Sequence, residues 1–229
     1  MDPLLRLILI IVQSYLIGAI PTALIVSRQF FGMDIREKGS GNMGSTNVFR
    51  VLGWKWGVIV QAADILKGVL AVALVALLFD TQMPFENQTP LQDATVVRVI
   101  AGLAAVVGHI WSVFAGMRGG KGINTSLGVL IAVAPVEVAI ALGIFLVLFL
   151  ASGYVSLGSI IAAASVPGTM AFRHNILGVD IQGYHTLVYF CLALSVLVIY
   201  AHRANLRRLL LGTESSFKKP SFLTRSRKS

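Results

Sequence analysis

Cysteine and charge are what this sequence has least of. Its single cysteine, Cys191, stands inside an apolar run near the C-terminus. One thiol excludes a disulfide framework and a cysteine-built metal site, and Cys191 reads as a small apolar filler. Only 13% of the 229 residues are charged, against roughly 25% in a water-soluble domain. There is no H-E-x-x-H and no cluster of inward carboxylates, which argues against a metal hydrolase. Acids are scarce beside bases, with ten Asp and Glu against nineteen Lys and Arg.

In place of charge there is apolar surface: 56% of the residues are hydrophobic and the mean hydropathy is +0.80. Runs long enough to cross a hydrocarbon core, at about 20 residues each, occupy 3–28, 54–79, 94–116, 122–151, 155–172 and 184–202. Little is left for a soluble domain. The first run is too long for a secretory signal, carries Gln13, Ser14 and Tyr15 in its middle, and is not followed by an A-x-A site. It reads as an uncleaved first helix.

The basic residues are placed unevenly. Fifteen of the nineteen fall in 28–55, 117–121 and the segment after 202, whereas 80–93 carries Asp80, Glu86 and Asp93 and no lysine or arginine. Lysine and arginine in short loops mark the cytoplasmic side, so the N-terminus is expected outside and the C-terminus in the cytoplasm. That requires an odd number of crossings. Pro135, followed by Glu137, interrupts the run 122–151, and proline breaks or bends a regular helix. Two short helices, 122–134 and 136–151, restore the parity. The expected fold is therefore all-α, a polytopic membrane bundle of about seven transmembrane helices, some short or broken. The alternative, a single tilted span with 155–172 lying in the outer half of the membrane, is less favoured. The seven-helix scheme also brings Ser156 and Ser159 to the charged face.

Three polar segments interrupt the apolar chain. The first, 39–50, reads G-S-G-N-M-G-S-T-N-V-F-R. Its glycines allow positive φ and close approach of a ligand to backbone N–H groups, an anion-binding arrangement. The hydroxyls of Ser40, Ser45 and Thr46, the amides of Asn42 and Asn47 and the Arg50 guanidinium suit phosphate oxygens; a plain inter-helix turn is the other reading. The second, 108–125, contains His109 and then Gly119, Gly120, Lys121 and Gly122 at the start of a new apolar helix, where an anion is favoured. It is not a nucleotide P-loop, because Ala115 and Gly122 stand where glycine and serine or threonine would be needed. The third, 202–214, looks helical; His202 and Asn205 share a face, and Arg207 and Arg208 suit anionic head groups. Within the second span, Asp64 and Lys67 lie three apart on one helical face. Ionisable groups at that depth face the interior of a bundle, as a functional pair or a structural tie. No H-x-x-x-x-D follows any of the four histidines, so the usual thioester-dependent acyl-transfer signature is absent.

These segments, G-S-G-N-x-G-x-T-N-x-x-R, G-H … G-G-K-G and H-R-x-N-x-x-R-L-L-x-G-T-E, closely resemble the bacterial acyl-phosphate:glycerol-3-phosphate acyltransferase family, the PlsY family. The likeness extends to Gly18, Pro21, Asp64, Lys67 and Gly68. It implies a multi-pass inner-membrane enzyme, its site toward the cytoplasm, that joins a fatty acyl phosphate to glycerol 3-phosphate. The products would be 1-acylglycerol 3-phosphate and phosphate, without metal or cofactor. Membrane lipids and functional coupling to an enzyme producing the acyl phosphate are implied as partners, and no nucleic acid. By position, Ser40, Arg50, Lys121, His202 and Asn205 carry the catalytic roles. Gly41, Asn42, Gly44, Thr46, Asn47, Asp64, Lys67, His109, Gly119, Gly120, Gly122, Ser156, Ser159 and Arg203 surround the substrates. Ser45, Trp111, Ser112 and Ala19 depart from the family's usual alanine, phenylalanine, proline and serine. Residues 1–214 form the expected enzymatic domain and 215–229 a basic tail. The rival reading is a transporter of a phosphorylated solute, which would need a path to both faces.

Overall fold

The structure is a computed structural model that describes residues 2–78 and 91–217. Its regular elements are helical: α1 (Pro3–Ala19), α2 (Thr22–Phe31), α3 (Ser45–Val51), α4 (Trp54–Leu78), α5 (Asp93–Ile110), α6 (Ile123–Val133), α7 (Pro135–Ser152), α8 (Val155–Asn175), α9 (Tyr184–Ala201) and α10 (Arg203–Leu210). The acidic segment 80–93 is described only from residue 91, and of the basic tail only 215–217 are described.

Proline sets the breaks. The first apolar run is two helices rather than one, because Pro21 has no N–H to continue α1. The break leaves main-chain carbonyls exposed inside the bundle, and side chains take them up: Ser112 Oγ donates to Ala19 O at 2.5 Å and Lys67 Nζ to Ile20 O at 3.0 Å. Pro135 divides 122–151 as expected, standing at the first position of α7, where a missing N–H costs nothing. Among the described residues, six segments are long and apolar enough to span a membrane: α1 with α2, α4, the stretch beginning with α5, α7, α8 and α9. The eleven-residue α6 reaches about 16 Å at 1.5 Å per residue, short of a core about 30 Å thick.

The direction of α6 and α7 follows from their ends. Lys121, just before α6, lies within the electrostatic reach of Glu214, and Gly153, after α7, accepts a hydrogen bond from Phe217 N at 3.0 Å. Both ends therefore lie at the same end of the bundle as the third polar segment, and the pair is a hairpin that enters and returns. In α8, Ser156 donates to Glu214 at 2.8 Å. The tilted-span alternative, with 155–172 laid on or within the outer half of the membrane, is not what forms: α8 stands in the bundle and packs on α7 and α9.

Small residues let the helices touch. A Cβ on Gly18 would lie 2.0 Å from Ala105 O and one on Gly108 2.2 Å from Tyr15 O, so α1 and α5 meet backbone to backbone. Gly68 against Thr125 O and Gly128 against Ile65 O do the same for α4 and α6. Lipid is as apolar as a helix face, so such close van der Waals packing is what holds spans together. Because α6 starts at the second polar segment, its tight seat on α4 fixes where that segment lies.

Candidate active site

The first polar loop is folded around one side chain. Asn47, 1% exposed, accepts from Ser40 N at 2.8 Å through Oδ1 and donates from Nδ2 to Ile35 O (3.2 Å), Lys38 O (3.0 Å) and Asn42 O (3.0 Å). A Cβ on Gly39, whose φ is +58°, would lie 2.3 Å from Asn47 Oδ1. Asn42 Oδ1 accepts from Gly44 N at 2.8 Å. The amides of Asn42 and Asn47, expected to face a ligand, are thus engaged in shaping the loop. Both still line the cavity described below, together with Ser40 and Thr46 of the loop and Arg50 in the last turn of α3.

The second loop docks on the end of α5, whose last carbonyls lack intrahelical partners. Gly119 N donates to Ile110 O at 3.0 Å and Gly120 N to His109 O at 3.1 Å. A Cβ on Gly119 would stand 1.9 Å from His109 O, and one on Gly120 2.2 Å from His109 Nε2. These glycines are required by close approach, and their N–H groups face α5 rather than an anion. They do not line the cavity described below; Lys121 and Gly122 do. Asn124 Nδ2 donates to Ser45 Oγ at 2.9 Å and ties the loops together.

His202 is the hinge between α9 and α10. Its Nδ1 lies 2.8 Å from Val198 O, which can only accept, so Nδ1 carries the proton and Nε2 keeps its lone pair. Burial, with Lys121 nearby, pushes the His202 pKa down to about 4, so the ring is neutral at physiological pH. Burial likewise pushes the Lys121 ammonium down to about 8, against the pull of Glu214.

Sequence reasoning named the third motif through Glu214 without giving that acid a role. Glu214 accepts from Ser156 Oγ (2.8 Å), Asn205 Nδ2 (2.7 Å) and Arg208 Nε (2.7 Å). Burial opposes its ionisation, but these three donors hold its carboxyl below the usual range. Asn205 therefore sits behind Glu214, its amide directed at the acid. The signal for Glu214 was its position, closing a motif otherwise rich in arginine. Arg203 points elsewhere: it donates to Tyr200 O at 3.2 Å and lies 4.5 Å over the Tyr200 ring.

In the bundle, Asp64 and Lys67, 1% and 5% exposed, form an ion pair at 2.8 Å. Thr22 Oγ1 donates to Asp64 Oδ1 at 2.5 Å, and His109 Nδ1 lies 3.7 Å from the same oxygen. The cluster joins the Pro21 break, α4 and α5. Lys67 is committed to Ile20 O and Asp64, whereas Asp64 and His109 reach the cavity wall.

That cavity has a volume of about 460 Å³. At one end stand Ser40, Thr46, Arg50, Lys121, His202 and Glu214; Ser156 and Ser159 follow on α8. Beyond them the wall is Leu130, Val138, Leu142, Phe145, Phe149, Val166 and Leu194. Of the expected substrate-side residues, Gly41, Lys67, Gly119, Gly120 and Arg203 do not line it, and neither does Asn205. The lining also includes Phe217, three residues past the expected domain boundary. A chamber basic and hydroxyl-bearing at one end and apolar at the other, inside a multi-span membrane protein, defines a class: a site for a phosphate-bearing molecule together with a hydrocarbon chain.

Known proteins narrow the class. A family model described as glycerol-3-phosphate acyltransferase matches residues 8–212. A glycerol-3-phosphate acyltransferase of Chlorobium phaeobacteroides is 43% identical over 234 aligned positions, covering 94% of this chain and 98% of that protein. One of Chlorobaculum tepidum is also 43% identical, over 93% and 97%. A crystal structure of PlsY (YgiH), an integral membrane glycerol 3-phosphate acyltransferase, in its glycerol 3-phosphate form, superposes with a TM-score of 0.77 at 34% identity, over 93% and 96% of the two chains. The lysophosphatidic acid form of PlsY superposes at 0.74. The chain belongs to the glycerol-3-phosphate acyltransferase family.

Proposed function

We propose that the protein transfers a fatty acyl group from an acyl phosphate to glycerol 3-phosphate, releasing 1-acylglycerol 3-phosphate and inorganic phosphate. The observation that carries this reading is the continuity of the cavity: phosphate-binding groups and an apolar channel share one wall, so a head group and an acyl chain can meet there. The related PlsY structures, in glycerol 3-phosphate and lysophosphatidic acid forms, agree with an acceptor and a product of these kinds.

An acyl phosphate is already activated, so the task is positioning and electrostatic steadying of two phosphates. Arg50 and Lys121 bind phosphate, and Ser40 hydrogen-bonds in the same pocket. The glycerol hydroxyl oxygen attacks the acyl carbonyl carbon; the ester C–O bond forms, and the bond to the phosphate oxygen breaks. The phosphate leaves with the electron pair and takes the hydroxyl proton. His202, neutral and of low basicity, orients the hydroxyl through its Nε2 lone pair rather than keeping the proton; a group with so low a pKa is a weak general base near neutrality. Asn205 and Ser156 hold Glu214 in place beside it. The basic loops lie on the cytoplasmic face of the bacterial inner membrane, with the N-terminus outside, in line with the charge distribution.

The test is the purified protein in lipid, supplied with palmitoyl phosphate and glycerol 3-phosphate, with phosphate release and acylated product measured together. Equal amounts of both are expected. Activity with acyl-CoA alone would overturn the donor, and uptake of labelled glycerol 3-phosphate into sealed vesicles without acylated product would favour the transporter.

A further inference from the structure

The family match ends at residue 212, yet the chain returns to the cavity after it. Phe217 N donates to Gly153 O at 3.0 Å, pinning the segment to the end of α7. Its ring meets Phe149 edge-on at 6.1 Å, and Phe149 stacks on Phe145 at 5.9 Å, so three aromatic rings continue along the cavity wall. The Arg50 guanidinium lies 4.9 Å from the centroid of the Phe217 ring and donates through Nη2 to Ser215 O at 3.0 Å. Glu214, just before, is fixed by Ser156, Asn205 and Arg208. Residues 214–217 are thus a strap tied at both ends, with Arg50 held between its carbonyl and its aromatic ring.

We infer that Phe217 is a positioning and specificity-determining residue of this site: it holds the Arg50 fork and forms the near wall of the acyl channel beside Phe149. Long arginine side chains have many rotamers, and holding one in place cuts the ordering cost of phosphate binding. A guanidinium has five N–H donors; Ser215 occupies one group, and the others remain for a phosphate. The channel wall at Phe145, Phe149 and Phe217 meets the first methylenes of a chain whose head group sits at Arg50. The inference rests on the acyl-phosphate reading above.

The experiment uses the full-length enzyme in lipid, with acyl phosphates from lauroyl to stearoyl. Wild-type turnover with these donors tests the function; if none is turned over, that reading fails before the strap is tested. Given turnover, Phe217→Ala and a stop after Glu214 should each raise the donor KM about 5- to 20-fold, the value of one aromatic contact plus one cation–π contact. The KM for glycerol 3-phosphate should change less than about twofold, since Lys121 and His202 are untouched. Preference among chain lengths should flatten. Phe217→Tyr should recover most of the donor KM, and a stop after Phe217 should match wild type. Wild-type donor KM and chain preference in both Phe217→Ala and the stop after Glu214 would overturn the inference. So would a loss in the stop after Phe217 as large as in the stop after Glu214.

Discussion

Lys121 is a cation whose charge the cavity makes conditional. Burial lowers its pKa to about 8, whereas an exposed lysine titrates near 10.4. Raising pH through 8 removes its proton, and with it the charge proposed above to bind phosphate. A glycerol phosphate with a second pKa of about 6 is already a dianion there, Arg50 remains charged, and His202, at about 4, is already neutral. Lys121 is therefore the expected source of the alkaline limb. For the free enzyme, kcat/KM reports such a pKa; it should be nearly level below pH about 7.5, halve near 8 and then fall about tenfold per unit, or 1.4 kcal/mol per unit. The assay is the initial rate of acylated product at low glycerol 3-phosphate, with spontaneous acyl phosphate hydrolysis subtracted at each pH. Lys121→Arg should lower the plateau, because a fork does not reproduce an ammonium, and should carry the limb above pH about 10. A wild-type profile level to pH 10, or an unchanged limb in Lys121→Arg, would refute the reasoning.

Three further outcomes follow from the site. Glu214→Gln removes the carboxylate that raises the Lys121 pKa, so the alkaline limb should begin at lower pH, read from the same profile. Asn47→Ala removes the four hydrogen bonds through which the Asn47 side chain shapes the first loop; kcat/KM should fall about 10²-fold through misplacement of Ser40 and Arg50, while unfolding in detergent reports a loss of only about 1–3 kcal/mol. Gly128→Ala drives a Cβ to 2.0 Å from Ile65 O, and the α4–α6 seam should lose about 1–3 kcal/mol, measurable as a lower melting temperature.

Much of the fold was legible because hydropathy and proline act locally. The division at Pro135 could be read from one residue, and the split at Pro21 was equally available in principle, but an unbroken apolar run hid it. The site was legible as composition more than as geometry. Arg50, Lys121 and His202 were found as polar groups in an apolar chain, and they line one cavity. Gly119 and Gly120 are expected to meet a ligand but face α5, and Asn47 lines the cavity while its amide is bonded within the loop; which way an amide or a glycine N–H faces depends on which backbone passes within 3 Å, and that is a tertiary fact. The departures from the family pattern are explained the same way. Ser112 reaches the carbonyl of Ala19, and Ser45 accepts from Asn124, so each unusual hydroxyl has a partner that the linear sequence places far away.

The chamber with one polar and one apolar end has a kinetic consequence. Its two substrates would arrive from phases of different dimension: glycerol 3-phosphate from a volume, at moles per litre, and the acyl phosphate from a surface, at a mole fraction of lipid. The enzyme then has two Michaelis constants in different units. Adding inert lipid at fixed donor dilutes the second and leaves the first unchanged, and adding buffer does the reverse. In a cell, a change in the lipid-to-protein ratio of the membrane would alter the rate at constant substrate supply.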